Sequence, residues 1–322
     1  MKKMAIRVAA VMLCICICTV SGYGAEMLVP VGQVIGMELQ DQSVTVAAID
    51  EHLGRNAREA GLCVGDQILA INGKRITCPQ DVRSALDCAR GAVAMTVARD
   101  GKEIFLRMSP NITPEGPKLG VYLKQGVTGI GTVTFYDPET GAFGALGHGV
   151  NGNDGGLLSM VSGTVYRAGV VSVKTGKVGE PGQLRGAVTD GEIRGILEKN
   201  TTRGVFGKTD NGWEGACVPV ANSDDICTGP ATILSTVSDD GVREYSVEIL
   251  KIYPKGKKEG RNLMLKVTDP ELLSVTGGIV QGMSGSPILQ NGKLVGAVTH
   301  VLVNNPTMGY GIFIENMLDA AA

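Results

Sequence analysis

The chain has 322 residues, enough for about two domains of ordinary size. Charged residues make up 19% of it and the formal net charge is −2, so no basic surface for nucleic acid is predicted. With 46 glycines, few aromatic residues and plentiful Val, Ile and Thr, the composition favours short strands and tight turns over a helical bundle.

The first 25 residues have the pattern of a targeting segment. Lys2, Lys3 and Arg7 are followed by an uncharged apolar run over residues 8–20, and small residues follow that run. The run is short for a full membrane span, which needs about 20 residues, so the pattern favours a signal peptide over an anchor. We therefore expect an exported protein.

The cysteines predict no disulfide framework and no metal site. Three of the eight lie in the apolar N-terminal run, and the other five are irregularly spaced. Cys217 and Cys227 are a candidate pair for a disulfide. No metal and no cofactor are expected.

Two domains are predicted from the change in pattern along the chain. Residues 28–109 alternate strands with one clear helix, and residues 119–322 contain strand after strand with glycine-rich turns. Between them, residues 110–118 carry three prolines and are predicted to be a linker.

The first of these domains contains AREAGLCVGDQILAINGKRI over residues 57–76. Its Asn72-Gly73 pair is typical of a hairpin turn, since both positions tolerate positive φ. Thr77 and Gln80 then predict a capping box at the start of the helix.

These residues resemble a PDZ domain of the bacterial protease-associated type. PDZ domains bind an extended peptide as an added strand between a sheet edge and a helix. The resemblance implies that the backbone N–H groups of Ile35, Gly36 and Met37 receive a peptide C-terminus or an internal segment. It also implies that Val82 and Leu86 line the opposite wall; alternatively, both are ordinary core residues.

Ser284 is the candidate nucleophile of the second domain, within QGMSGSP. A serine nucleophile needs a base, a group that orients the base, and N–H donors for the oxyanion. Gly282 and Gly285 relax the backbone, so that the N–H groups of Gly282 and Ser284 are the expected oxyanion donors. The motif resembles the Gly-Asp-Ser-Gly-Gly-Pro signature of the chymotrypsin superfamily. By the same analogy, Gly278 is expected to keep the floor of a specificity pocket open.

The chain has three histidines, and one of them is the candidate base. His52 is expected on an exposed turn, and His300 is expected to pack in a strand near the cleft. His148 lies between glycines in GALGHGV, where its ring is not enclosed by its neighbours in sequence. We predict that His148 is the general base.

The group that orients the base stays open from the residues alone, because triad members meet in space and not in sequence. Asp269, which precedes Pro270, is also a natural cap for a helix or a turn. The acidic candidates are Asp137, Asp154, Asp190, Asp239, Asp240 and Asp269.

Residues 269–318 and the GALGHGV motif, together with the order of the domains, resemble the stage IV sporulation protein B family. These are sporulation signalling serine proteases of endospore-forming bacteria. The resemblance implies a catalytic triad of His148, Asp269 and Ser284. It implies a mainly β fold, with an N-terminal α+β PDZ domain followed by a chymotrypsin-like double β-barrel.

The resemblance also implies a setting: export across the forespore inner membrane into the intermembrane space. There the enzyme would cleave itself and a membrane-embedded regulator of an intramembrane protease, which then processes a late sigma-factor precursor. Two alternatives remain, a catalytically inactive peptide-binding scaffold of the cell envelope and an adhesion or lectin-like β-domain.

Overall fold

A computed structural model describes residues 26–152, 155–253 and 260–322. Within these ranges, no helix is long and apolar enough to cross a membrane. The predicted targeting segment, residues 1–25, lies outside the described residues, and so does the candidate acid Asp154.

The described residues form twenty strands and four α-helices. The helices are α1 (Arg55–Glu59), α2 (Pro79–Asp87), α3 (Pro270–Thr276) and α4 (Ile314–Ala321). The strands are β1 (Met27–Pro30), β2 (Val34–Ile49), β3 (Gln67–Ile71), β4 (Lys74–Arg75), β5 (Val93–Arg99), β6 (Lys102–Met108), β7 (Asn111–Thr113), β8 (Gly116–Lys118), β9 (Val121–Tyr136), β10 (Ala142–Ala145), β11 (Ser162–Lys174), β12 (Gln183–Thr201), β13 (Gly204–Lys208), β14 (Val218–Pro219), β15 (Gly229–Thr236), β16 (Val242–Ile252), β17 (Leu263–Val267), β18 (Pro287–Gln290), β19 (Lys293–Val301) and β20 (Met308–Phe313).

Two six-stranded antiparallel barrels form the body of the molecule. The first follows the order β2–β9–β10–β13–β12–β11 and closes where β11 pairs with β2. The second follows the order β15–β16–β17–β20–β19–β18 and closes between β18 and β15. Closure pairs every strand on both sides, and the alternating apolar residues of the strands fill the interiors.

A PDZ domain is inserted into the first barrel. It contains the second half of β2, the segment from α1 to β6, and the first half of β9, all packed around one apolar core. Because β2 and β9 are each 16 residues long, the same two strands run through both the PDZ domain and the barrel.

The passage from one domain to the other is marked by an irregularity in the β2–β9 pairing. Leu39 pairs with Val127, but the next pair is Val44 with Gln125, so residues 40–43 lie opposite Gly126 alone. Gly126 has φ +72°, and a Cβ there would lie 1.9 Å from the Leu39 carbonyl oxygen. Only glycine fits this bulge.

This architecture corrects the predicted domain boundaries. The segment expected to begin the PDZ domain at residue 28 starts in the first barrel, since Ile35–Leu39 pair with both β9 and β11 there. The expected linker at 110–118 contains the hairpin β7–β8. The protease domain is therefore discontinuous in sequence, and the PDZ domain interrupts it.

Two local predictions are also wrong. Helix α2 is capped by Cys78 and Asp81 in place of Thr77 and Gln80, with the Asp81 carboxylate accepting hydrogen bonds from the N–H groups of Thr77 and Cys78. All the cysteines in the described ranges are free, so Cys217 and Cys227 do not form a disulfide.

Candidate active site

A cavity of about 1040 Å³ lies between the two barrels and brings together the residues predicted to do chemistry. His148, from the loop after β10 of the first barrel, and Ser284, from the loop before β18 of the second, both line it. His300, on β19, lines it as well. A base from one barrel therefore faces a hydroxyl from the other, across an otherwise largely apolar cleft.

The backbone around Ser284 is a glycine-dependent turn. Gly282 and Gly285 have φ of +99° and +100°, which L side chains rarely adopt. A Cβ on Gly285 would lie 2.0 Å from the carbonyl oxygen of Thr132, so this turn fits directly against the first barrel. The prediction that these glycines relax the backbone for the serine agrees with the geometry.

Both barrels hold the nucleophile turn. From the first barrel, Thr132 on β9 donates its backbone N–H to Ser284 O at 3.2 Å and its hydroxyl to Gly282 O at 2.8 Å. The Leu184 N–H donates to Gln281 O at 2.8 Å. From the second barrel, Val298 O accepts the Gly285 N–H at 2.8 Å.

The predicted oxyanion donors are free for a substrate. Within the described residues, neither the Gly282 N–H nor the Ser284 N–H makes a backbone hydrogen bond. By contrast, the N–H groups of Met283, Gly285 and Ser286 are all bonded. Since an unpaired backbone N–H is costly unless it meets water or a ligand, the two free donors support the predicted role.

The Ser284 hydroxyl donates to the carbonyl oxygen of Thr299 at 2.8 Å. Among the described residues, no hydrogen bond joins it to His148. The hydroxyl must leave Thr299 O before the imidazole can take its proton. Such loose nucleophile–base geometry is common in proteases without substrate.

His148 is held by the loop that it begins. Its Nδ1 lies 2.9 Å from the carbonyl oxygen of Gly149. A carbonyl only accepts, so Nδ1 must carry the proton, and Nε2 is left with a free lone pair. Burial lowers the pKa of His148, while the hydrogen bond to Gly149 works in the opposite direction. A neutral ring with a free Nε2 is the form that a general base requires at neutral pH.

His300 lies in a strand beside the cleft, as predicted. Its ring centroid is 5.4 Å from that of His148. Burial lowers its pKa to about 4, helped by repulsion from His148 and Arg261. The ring is therefore neutral at pH 7, as is that of His148.

The Asp269 carboxylate, predicted to orient His148, is engaged elsewhere in this structure. Its carboxylate caps helix α3, accepting from the N–H groups of Glu271 and Leu272 at 3.0 Å each, and from that of Ser246 at 3.2 Å. Burial alone would raise the pKa of Asp269, but these donors outweigh it and lower the pKa. No hydrogen bond in the described ranges joins Asp269 to His148, so the capping alternative matches the structure.

The glycine predicted to form a pocket floor also has another role. Gly278 does not line the cavity, and a Cβ there would lie 2.1 Å from Pro306 O. The wall of the cavity begins one residue later, at Ile279, and continues to Gly282. Gly278 is thus needed for close packing against the loop before β20.

The residues predicted to receive a peptide in the PDZ domain are not in that domain. Ile35, Gly36 and Met37 lie in the first barrel, paired with both β9 and β11, so their N–H groups do not face a PDZ ligand. Val82 and Leu86 are on helix α2 as predicted, but they are only 4% and 3% exposed and belong to the PDZ core. The alternative, that these two are core residues, matches the structure.

The first half of β9 offers an unpaired strand edge in the PDZ domain that the sequence did not predict. Val121–Gln125 pair with β2 on one side, no described strand pairs with the other, and helix α2 packs nearby. A strand edge beside a helix is what a PDZ ligand uses. The signal lay in the sequence KLGVYL, where Gly120, with φ +73°, turns the chain into β9.

Comparison with known families agrees with this geometry. The model of the family SpoIVB peptidase S55 matches residues 115–318, more than half of the chain, and a PDZ domain model matches residues 53–99. The chain belongs to the SpoIVB peptidase S55 family. The predicted family and the predicted fold, a PDZ domain with a chymotrypsin-like double barrel, are both confirmed.

Matches to curated proteins are confined to short segments. A protein of Helicobacter pylori named "Putative zinc metalloprotease" is 40% identical over 60 residues, 19% of this chain and 17% of that protein. One of the same description from Agrobacterium fabrum is 35% identical over 77 residues, 24% of this chain and 20% of that protein. The SpoIVB peptidase S55 chain thus spans about a fifth of the length of these relatives.

Some solved structures described as proteases have a likeness to this chain. Rv3671c from M. tuberculosis H37Rv, in an inactive form, is 13% identical, covers 60% of this chain and 81% of its own, and has a TM-score of 0.35. The HtrA-type protease AlgW with a decapeptide is 14% identical, covers 65% and 57%, and has a TM-score of 0.37. These scores are low, and the strand pairings described above define the barrels independently. Membership of the SpoIVB peptidase S55 family and the cleft that holds Ser284 and His148 both support serine endopeptidase activity.

Proposed function

We propose that this peptidase is an exported sporulation signalling enzyme that cleaves itself and then a membrane-embedded regulator of an intramembrane protease. Cleavage of the regulator releases processing of a late sigma-factor precursor. The family membership supports the sporulation setting, and the basic and apolar pattern of residues 1–25 supports export into the space between the forespore membranes. The observation that carries the proposal is the meeting of Ser284, His148 and two unpaired N–H donors in one cleft.

The chemistry is acyl transfer. His148 Nε2 takes the proton of the Ser284 hydroxyl as Oγ attacks the scissile carbonyl carbon, and the N–H groups of Gly282 and Ser284 bind the oxyanion. The protonated His148 then gives its proton to the leaving amine, and the C–N bond breaks. Water, deprotonated by His148, hydrolyses the ester and restores Ser284.

The PDZ domain supplies a second peptide site. An extended segment of a protein partner, either a C-terminus or an internal stretch, adds as a strand to the unpaired edge of Val121–Gln125 beside helix α2. Binding there concentrates protein substrates near the cleft, because an attached segment reaches the active site at high effective concentration. The chain itself and its membrane-embedded partner are the proposed ligands.

Self-cleavage of the full chain, purified in detergent, tests this function. We expect the parent protein to trim itself, as seen by gel electrophoresis and mass spectrometry, and Ser284→Ala to reduce the rate by at least about 10⁴-fold. Trimming of Ser284→Ala at the parent's rate would show that a contaminating protease acts. If neither protein trims itself nor reacts with a fluorophosphonate probe, the inactive peptide-binding scaffold becomes the better description.

A further inference from the structure

Asn200, at the end of β12, holds the loop that follows His148. Its Oδ1 accepts the Val150 N–H at 2.9 Å, and its Nδ2 donates to Val150 O at 2.8 Å and to Leu158 O at 2.9 Å. The side chain thus pairs with both backbone groups of Val150, as a neighbouring strand would. Three hydrogen bonds fix the backbone of Val150 and Leu158 far more firmly than one would.

The attachment of Asn200 to the barrel is rigid. Val205, on β13, pairs with Asn200 of β12 on one side and with Ala145 of β10 on the other. Asn200 is therefore only one strand away from Ala145, which precedes His148 by three residues. The backbone is also closely packed here, since a Cβ on Gly149 would lie 2.6 Å from the Thr201 carbonyl oxygen.

One peptide group links Asn200 to the ring of His148. The Gly149 carbonyl and the Val150 N–H belong to the same planar trans peptide, so they point in opposite directions. Asn200 Oδ1 holds the N–H side, while the carbonyl side accepts from His148 Nδ1 at 2.9 Å. Fixing one side of the plane fixes the other, and each hydrogen bond in such a chain polarises the next.

We propose that Asn200 is the positioning residue of the catalytic base: through this peptide it keeps the proton of His148 on Nδ1 and Nε2 free for Ser284. The inference rests on the proposed peptidase mechanism. Asn200 and His148 both belong to the first barrel, so the base is oriented by its own barrel. Asp269 of the second barrel is not hydrogen-bonded to His148 in this structure and caps a helix. A neutral carbonyl stabilises an imidazolium less than a carboxylate does, so the arrangement fixes the tautomer more than it raises basicity.

The tautomer of His148 gives a direct test. In the full chain with ¹⁵N-labelled histidine, we expect the ¹⁵N shifts at pH 7.5 to report the Nδ1–H form for His148. The His52→Gln and His300→Gln variants assign the signals. An Nε2–H form in the parent protein would overturn the proposal without any variant being needed.

Two Asn200 variants separate positioning from packing. Asn200→Ala and the similarly sized Asn200→Leu should both give a mixture of His148 tautomers and lower kcat by about 10- to 100-fold, with KM nearly unchanged. The control is Asn111→Ala in the β7–β8 hairpin, where the side chain also makes three hydrogen bonds. This control should leave the tautomer and kcat as they are.

The outcomes distinguish this inference from the peptidase function. If the parent protein has no activity but Asn200→Ala shifts the tautomer, the positioning role stands and the proposed mechanism fails. A folded Asn200→Ala protein with the parent's tautomer and kcat would contradict the inference while leaving the peptidase function intact.

Discussion

The two barrels are built from the chain in different ways. The second uses one continuous stretch from β15 to β20, whereas the first borrows β2 and β9, which also form part of the inserted PDZ domain. The catalytic groups follow this division. The described hydrogen bonds that position His148 lie within the first barrel, but the turn that carries Ser284 is hydrogen-bonded to both barrels. The nucleophile is thus the group most sensitive to how the barrels meet.

Strand β9 connects the PDZ domain to the turn that carries Ser284. Its first half offers the unpaired PDZ edge, and its second half carries Thr132, which bonds the Ser284 turn through both its N–H and its hydroxyl. A peptide bound at one end of β9 is therefore attached to the strand that supports the nucleophile.

The largest effect is expected where the barrels touch. Gly285→Ala would place a Cβ 2.0 Å from Thr132 O, at a φ of +100°, so the turn or β9 must move. We expect a loss of about 2–4 kcal/mol in the free energy of unfolding and at least a 100-fold loss of kcat/KM. Thermal unfolding and peptide hydrolysis measure the two effects.

The matched control is Gly292→Ala, in the β18–β19 hairpin of the second barrel. Its φ is +73°, but nothing lies within 4 Å of the added Cβ. It should cost about 1 kcal/mol, with activity retained. Equal losses of activity in the two variants would show that backbone strain alone, and not contact between the barrels, explains the effect.

A smaller effect is expected from the Thr132 hydroxyl, which donates across from the first barrel to the Ser284 turn. Thr132→Val keeps the shape but removes the hydrogen bond to Gly282 O, so the oxyanion donors are less firmly placed. We expect kcat to fall about 10-fold with little change in KM.

Thr134→Val provides the comparison on the same strand. Both threonines are fully buried, but the Thr134 hydroxyl has no hydrogen-bond partner in the described structure. Its removal should leave kcat unchanged and keep or raise the unfolding free energy. If Thr132→Val behaved in the same way, the hydrogen bond from the Thr132 hydroxyl to Gly282 O would have no catalytic importance.

The sequence predicted the continuous regions well and the interrupted ones poorly. The Ser284 turn, the glycine-flanked His148 and the strand position of His300 all depend on local patterns, and the structure places them as expected. Ile35–Met37 were misplaced because a strand of alternating apolar residues looks the same in a barrel and in a PDZ domain. The position of Asn200 depends on β12, β13 and β10 meeting side by side, which no spacing along the chain reveals.

The smallest effect is expected at Asp269. Its variants test whether His148 is oriented by groups of the first barrel alone or also by this carboxylate of the second barrel. Asp269→Ser keeps a side-chain oxygen that can cap helix α3, so stability should change by only a few tenths of a kcal/mol and kcat by less than a few-fold. Asp269→Ala removes the cap and should cost about 0.5–2 kcal/mol, measured by chemical denaturation. An orienting carboxylate would behave differently, since its loss lowers kcat by about 10⁴-fold whether or not the helix stays capped. A stable but inactive Asp269→Ser protein would therefore mean that the carboxylate leaves the helix and reaches His148 during catalysis, and that the second barrel orients the base of the first.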